Sequence, residues 1–295
     1  MRVIVTGGAG FIGSSFVDLL EKNNIDYLVI DKLTYAGDTD NIPDNNKLLV
    51  KDICDVTAED LGEYDYLVNF AAESHVDNSI DDGSPFIKTN IVGTFNLLEL
   101  ARKNKKLKKF VQISTDEVYG DLIDLKVKVT KETSPVHPSS YYSASKTSAD
   151  HLVSACGRTF NLPFIITRTC NNFGIRQHEE KFIPKIIKSI RENLEVPVYG
   201  DGEQIREWIW VEDNVNKVYE LMIDEHSTGI YNIGSGDSYK NIEIIKYIGK
   251  FLKKDIKYKY VKDRPGHDKL YNITSERTYK PNITKSLYNY LREQI

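Results

Sequence analysis

The sequence predicts an α/β protein: a doubly wound parallel sheet followed by a smaller α/β unit toward the C-terminus. Three observations carry this. The chain opens as strand, glycine-rich turn, helix, strand and acid. Strand-like and helical runs then alternate as far as Arg168. Beyond residue 170 the pattern changes, with loops such as Cys170 to Gly174 and Asp263 to Asp268 among the strands and helices. These changes predict a first unit over 1–170, with segments near 206–235 returning to it, and a second over 171–295.

Arg2 to Thr6 reads as the first strand, and the helical pattern runs from Ser14 to Lys22. Between them Gly7-Gly8-Ala9-Gly10-Phe11-Ile12-Gly13 satisfies GxGxxG from Gly8 and GxxGxxG from Gly7. Such glycines let the backbone turn tightly and approach a pyrophosphate at a helix N-terminus, as in a Rossmann dinucleotide site. Tyr27 to Ile30 is a second strand, and Asp31 follows it 18 residues after Gly13. A carboxylate there suits two ribose hydroxyls and repels a 2′-phosphate, so NAD is expected over NADP.

Lys47 to Val50 reads as the third strand and Tyr66 to Phe70 as the fourth. The small Ala71 and Ala72 at that strand end would let a cofactor lie close. Pro85 to Lys103 reads as one long amphipathic helix, and Phe110 to Ile113 as the fifth strand. The basic run Lys103 to Lys109 is expected to be a solvated helix end. Asp121 to Pro138 reads as a loop over the site, Ser143 to Thr159 as a helix, and Phe164 to Arg168 as a strand. Then come a loop over Cys170 to Gly174, a helix from Phe182 to Glu192 and a strand and turn from Val196 to Gly202. Arg206 to Val211 and Ile230 to Ile233 read as strands, with a helix from Glu212 to Met222 between them. Ile242 to Leu252 is a helix and Asp263 to Asp268 a loop.

The 295 residues are 40% hydrophobic and 28% charged, which is ordinary for a globular protein. A net charge of −4 argues against nucleic acid as the main partner. Strand residues begin at Val3, so no N-terminal leader is expected, and no apolar run reaches the roughly 18 residues of a membrane span. Cys54, Cys156 and Cys170 lack metal-site spacing. Free thiols in a reducing cytoplasm are the expectation, with no metal and no membrane partner.

Two constellations carry chemistry. Tyr142 and Lys146 lie one helical turn apart. Beside a dinucleotide, the ammonium and the cofactor's positive ring favour a phenolate, able to take a proton from an alcohol. The second is Ser114-Thr115-Asp116-Glu117-Val118-Tyr119-Gly120, at the C-terminal end of the fifth strand. Alcohol oxidation needs Tyr and Lys alone. A carboxylate pair adds one group to remove a carbon-bound proton and one to protonate a leaving hydroxyl.

The motifs resemble the extended short-chain dehydrogenase/reductase family, and more narrowly nucleoside-diphosphate-glucose 4,6-dehydratases of the dTDP-glucose type. Those carrying the resemblance are GGAGFIGS at Gly7, DKLTYAG at Asp31, AAESHVD at Ala71, TNIVGT at Thr89 and STDEVYGD at Ser114. They continue with YSASK at Tyr142, CNNFG at Cys170, KFIP at Lys181, GDGEQIREW at Gly200 and DRPGHD at Asp263.

The resemblance implies a catalytic set of Thr115, Asp116, Glu117, Tyr142 and Lys146. It implies NAD binding by Gly7, Gly10, Phe11, Ile12, Gly13, Asp31, Lys32, Leu33 and Thr34. Asp52, Ile53, Phe70, Ala71, Ala72, Ser74, Thr89 and Asn172 complete that set, with Tyr142 and Lys146 shared. The nucleotide sugar would be held by Ser74, Thr115, Asn171, Lys181, Phe182, Pro197, Val198, Tyr199, Arg206, Asn241, Arg264 and His267. Arg206 and Arg264 suit a diphosphate, since a guanidinium fork matches phosphate oxygens. The chain departs from the family in a shorter segment after Asp121 and in lacking an LGW element before Lys280-Pro281.

The expected activity is that of a hydro-lyase converting an NDP-glucose, with dTDP-glucose as the leading substrate, to the 4-keto-6-deoxy sugar, for deoxysugar supply such as rhamnose. A UDP-glucose dehydratase of the same mechanism is the alternative, with a UDP-sugar 4-epimerase or decarboxylase further off. An epimerase has no use for the Asp116–Glu117 pair. A cytoplasmic homodimer is expected, joined by a four-helix bundle of the helices over 85–103 and 143–159.

Overall fold

The structure is a computed structural model that describes residues 1–277 and 281–294; Lys280 of the Lys-Pro pair lies outside them. Among the described residues the first six strands are β1 (Arg2–Thr6), β2 (Asp26–Asp31), β3 (Leu48–Val50), β4 (Tyr66–Asn69), β5 (Lys109–Thr115) and β6 (Phe164–Thr169). The others are β7 (Asn171–Phe173), β8 (Val196–Tyr199), β9 (Ile205–Trp210), β10 (Gly229–Ile233), β11 (Ser238–Lys240) and β12 (Tyr258–Val261). The helices are α1 (Phe11–Lys22), α2 (Ala58–Leu61), α3 (Val76–Asp81), α4 (Ser84–Phe86) and α5 (Thr94–Ala101). They continue with α6 (Tyr141–Phe160), α7 (Phe182–Arg191), α8 (Val211–Ile223), α9 (Asn241–Leu252) and α10 (Leu287–Gln294).

Seven strands form one sheet in the order β10-β6-β5-β4-β1-β2-β3, all parallel. Its central strands are buried throughout, because helices cover both faces. On one face Phe16, Val17 and Leu20 of α1 pack with Val215, Val218, Leu221 and Met222 of α8. On the other, Leu97, Leu98 and Ala101 of α5 pack with Val153 and Cys156 of α6. The register aligns Thr6 with Ile30 and Asn69, and Thr115 with Thr169. The loops after these strands therefore share one edge of the sheet, where open α/β folds bind ligands.

The remaining chain builds a three-stranded sheet, β11-β9-β7, and the parallel pair β12-β8. Its core joins Ile183, Ile186 and Ile187 of α7 to Val196, Val198, Ile244, Ile245 and Ile248, with Trp208, Trp210 and Leu291. The chain crosses back at α8 and β10, the latter paired in parallel with β6. Cys54, Cys156 and Cys170 are free thiols. Among the described residues, no helix is long and apolar enough to cross a membrane.

Three local expectations need correcting. Asn171–Phe173 is a strand rather than a loop, because β9 lies beside it and takes up its backbone hydrogen bonds. The helix expected over 85–103 is interrupted by a π-helical segment, Ile87–Gly93, and ends at Ala101. That irregularity buries Thr89 and Asn90, and it passes Gly93 where a Cβ would meet Ile53 Cδ1 at 2.5 Å. The basic run is not wholly solvated. Lys109 is buried, and its Nζ donates to the carbonyls of Leu221 and Asp224 at the end of α8.

Candidate active site

At the end of β1, Gly7 takes φ +69°, and a Cβ there would meet the Ala71 backbone nitrogen at 2.5 Å. A Cβ on Gly13 would meet the Gly7 carbonyl at 2.2 Å, so α1 can approach the turn this closely only with glycine. Gly10 differs. It caps α1 without a side chain, the first turn carries no acid, and the nearest atom to an added Cβ is 3.5 Å away. The first-turn amides of α1 thus face open space with the positive end of the helix dipole behind them, which suits a pyrophosphate.

Asp31 closes the same end of the cleft. Its Oδ2 accepts from Ala9 N at 3.0 Å and its Oδ1 from Leu33 N at 2.9 Å. Each carboxylate oxygen retains a lone pair for a further donor. Burial raises the Asp31 pKa against the pull of these amides and of Lys32. Lys32 donates to Thr89 Oγ1 at 3.0 Å and lies 3.1 Å from Glu73 Oε1. Pocket shape, free amides and an acid at the β2 end together fit NAD.

The buried Asn90 holds the floor. Its amide bonds both backbone groups of Glu73, and its Nδ2 donates to Ser145 Oγ of α6 at 2.8 Å. Ser140 starts α6 with a capping box, accepting from Ser143 N while Ser143 Oγ accepts from Ser140 N. Tyr142 and Lys146 thereby project from the first turns of a fixed helix. The Lys146 Nζ donates to Ile113 O at 2.5 Å, and burial pulls its pKa down to about 8 against the opposing charge of Asp150. Burial, followed by the charge of Glu117, raises the Tyr142 pKa, while the Thr115 hydroxyl acts in the opposite direction. Tyr141 points to solvent.

Thr115 ends β5, and Asp116–Tyr119 forms one 3-10 turn capped by the Thr115 hydroxyl. Gly120 closes it at φ +80°, where a Cβ would strike the His137 carbonyl at 2.1 Å. The turn leaves the two carboxyls in different surroundings. Asp116 is 2% exposed, and its Oδ2 has no hydrogen-bond partner among the described residues. Its pKa lies well above the usual carboxylate range, through burial and then the charges of Glu117 and Glu207. Glu117 faces the cleft, and burial raises its pKa against the charges of Arg264 and Arg206.

The second half of the chain closes the cleft from above. Arg206 is buried, lies over the Tyr271 ring at 4.3 Å and, among the described residues, donates only to the carbonyls of Ile205 and Asp268, an anion site in outline. Arg264 Nη1 donates to Asp77 Oδ1 at 3.1 Å, and Tyr199 OH to Asp77 Oδ2 at 3.4 Å. Lys181 Nζ reaches the Ser74 carbonyl at 3.2 Å. His267 bonds Asp263 at 2.6 Å, and burial with the Arg264 charge pulls its pKa down to about 4, leaving a neutral ring at pH 7.

One cleft of about 600 Å³ gathers most of the sequence-predicted residues. Its wall includes Gly10, Asp31, Thr89, Thr115, Glu117, Tyr142 and Lys146, together with all twelve residues expected to hold the sugar nucleotide. Leu33, Asp52 and Asp116 are not part of the wall. Leu33, at φ +53°, turns the chain away, Asp52 Oδ1 accepts from Cys54 N, and Asp116 sits behind Thr115 and Glu117. Sequence reasoning missed Glu73, Asp77, Asn90 and Glu180. Glu180 accepts from Tyr35 OH at 3.2 Å and lies 3.9 Å from His75, so it joins the loops after β2 and β4 to the start of α7. Two of the four, Glu73 and Asp77, lie within the AAESHVD motif, whose expected site residues are Ala71, Ala72 and Ser74 alone.

Residues 3–234 match the model of the NAD dependent epimerase/dehydratase family. The chain is 45% identical over 291 residues to the low-salt glycan biosynthesis protein Agl12 of Haloferax volcanii, covering 94% of this chain and 91% of that one. It is 42% identical to dTDP-glucose 4,6-dehydratase of Haemophilus influenzae, over 96% and 94% of the two chains. Among solved structures, the DesIV dTDP-glucose 4,6-dehydratase of Streptomyces venezuelae, which carries NAD, superposes with a TM-score of 0.93. Their identity is 37%, over 100% of this chain and 95% of that one.

Proposed function

The chain belongs to the NAD-dependent epimerase/dehydratase family, and we propose that within it the protein dehydrates an NDP-glucose, with dTDP-glucose as substrate, to the 4-keto-6-deoxy sugar. The observation that carries this is the carboxyl pair Asp116–Glu117 placed beside Tyr142 and Lys146 at one strand end. Oxidation or epimerisation at C4 leaves that pair without work. The relatives that are dTDP-glucose 4,6-dehydratases support the same reading.

NAD would be held by the α1 amides and Asp31, and when bound it supplies the hydride acceptor and donor. Tyr142 takes the 4-hydroxyl proton, with the Lys146 charge beneath it offsetting the cost of a buried phenolate. The C4 ketone acidifies the C5 proton, which Glu117 removes. Asp116, whose Oδ1 lies 3.3 Å from the Thr115 hydroxyl, supplies the proton with which the C6 hydroxyl leaves as water. The C5=C6 double bond then takes back the hydride at C6 and a proton at C5 to give the 4-keto-6-deoxy sugar. Environment assigns these roles: Asp116, among other acids, keeps its proton, whereas Glu117, near two guanidinium groups, gives its proton up more readily. Arg206 and Arg264 would take the diphosphate.

The active unit is a cytoplasmic homodimer. Ile87, Val92 and Phe95 are exposed along the helical run over 84–101, more apolar surface than a free helix leaves in water. The deciding experiment incubates the purified protein separately with dTDP-glucose and UDP-glucose and measures 4-keto-6-deoxy sugar. Product from UDP-glucose alone would change the nucleotide, and product from neither would remove the proposal.

A further inference from the structure

Tyr142, Lys146 and Asp150 recur every fourth residue along α6, which puts them on one face. Lys146 and Asp150 are both buried. The hydrogen bond that Lys146 makes goes to a neutral carbonyl, that of Ile113. Asp150 Oδ2 accepts from Arg168 Nε at 3.0 Å, and the Arg168 guanidinium lies 4.8 Å from the Tyr119 ring. Among the described residues neither Asp150 Oδ1 nor Ser114 Oγ on β5 has a hydrogen bond of ordinary geometry, and the Ser114 hydroxyl still favours the ionised Asp150. The interior therefore holds a cation, an anion and a second cation, the anion being held by Arg168 and by the Ser114 hydroxyl.

We propose that Asp150 is a positioning residue: its carboxylate keeps the Lys146 ammonium charged beneath Tyr142, and Arg168 in turn keeps Asp150 ionised. This rests on the reading of Tyr142 as base and Lys146 as its cation. A buried ammonium bonded to a carbonyl alone loses its proton readily. The groups facing this interior are Tyr142 and Asp150 from α6, Ser114 on β5 with Asp116, Glu117 and Tyr119 past its end, and Arg168 from β6. Asp150 is the charge that supports the protonated Lys146 against burial, and Arg168 opposes the burial of Asp150.

The test follows Lys146 directly in full-length enzyme with isotope-labelled lysines, its signal identified by its loss in Lys146→Arg. Unaltered enzyme should titrate near 8. Asp150→Asn should lower that midpoint by roughly one unit or more. The double variant Asp150→Asn/Arg168→Gln removes both members of the ion pair, so it leaves no uncompensated guanidinium in the core. It should show the lowered midpoint too. An unchanged midpoint in either folded variant would overturn the proposal.

Activity supplies a second readout. Asp150→Asn should lose little at low pH, where Lys146 is charged regardless, and progressively more as pH rises through the lowered midpoint. A loss of the same factor at every pH would mean a purely structural role. If the unaltered enzyme makes no 4-keto-6-deoxy sugar, the underlying functional reading fails instead, and the lysine titration still stands as a separate result.

Discussion

Lys146 Nζ and the Ile113 carbonyl oxygen lie 2.5 Å apart, so the catalytic helix is pinned to the strand that ends in Thr115. The bond fixes Tyr142, one turn earlier, beside Thr115 and Glu117, while Tyr141 stays in solvent. Tyr142→Phe should therefore lower turnover by roughly 10²–10⁴. Binding of the nucleoside diphosphate, measured by calorimetry, should change far less. Near-normal turnover would place the base elsewhere.

Gly10 and Gly13 should fail in different ways. A Cβ at 10 meets no protein atom closer than 3.5 Å, so Gly10→Ala should fold normally yet crowd the phosphate space and bind NAD more weakly. At 13 the Cβ would meet the Gly7 carbonyl at 2.2 Å, so Gly13→Ala should also lose stability, by about 1–3 kcal/mol. Calorimetric NAD titration and thermal melting of both variants separate the two effects. Equal melting temperatures for the two would contradict this reading of the turn.

The contrast shows what the sequence could reveal. The glycines, Asp31 and the Tyr142–Lys146 spacing were legible because each answers a local rule: a turn angle, a strand end, a helical repeat. Asp77 and Asn90 were not, because their partners, Arg264 and Glu73, lie 187 and 17 residues away in the chain. The strand Asn171–Phe173 escaped for the same reason, since its pairing with β9 is set by the fold and not by local propensity. Asp116 was legible as an acid, but its place behind the wall of the cleft depends on the tightness of a 3-10 turn, which the residues alone do not display.

A dimer should be visible in solution. Light scattering at micromolar concentration is expected to give twice the chain mass of 33.7 kDa. Replacing Phe95, exposed on α5, with Asp should bring the mass to that of one chain. A single 33.7 kDa species from the unaltered protein would sink the proposed bundle.

Asp116 should cost the fold stability. Its folded-state pKa is raised above the ordinary 3.8, so the folded chain binds more protons than the unfolded one between those two values. The contribution is harmless below the unfolded pKa, and stability falls as pH rises through the folded one. Asp116→Asn should therefore melt higher than the unaltered protein, by a margin that widens from pH 4 upward. A margin constant with pH would show that the carboxyl is not held protonated.

The same substitution separates oxidation from elimination. Asn keeps the shape of the Asp116 side chain but cannot deliver a proton to the C6 oxygen. Oxidation at C4 does not need that proton, because Tyr142 and Lys146 handle the hydroxyl. Mixing Asp116→Asn enzyme with NDP-glucose should thus still reduce the bound cofactor, seen as absorbance that rises and persists, with 4-keto-glucose nucleotide retained and little 6-deoxy product. Glu117→Gln should stop one step earlier, at C5, and abolish exchange of the C5 hydrogen with solvent deuterium. If Asp116→Asn prevents cofactor reduction altogether, the buried carboxyl acts in oxidation or in placing Thr115, whose hydroxyl lies 3.3 Å from its Oδ1. If product forms at the normal rate, the acid lies elsewhere, and the unpartnered Oδ2 of Asp116 has no part in releasing water.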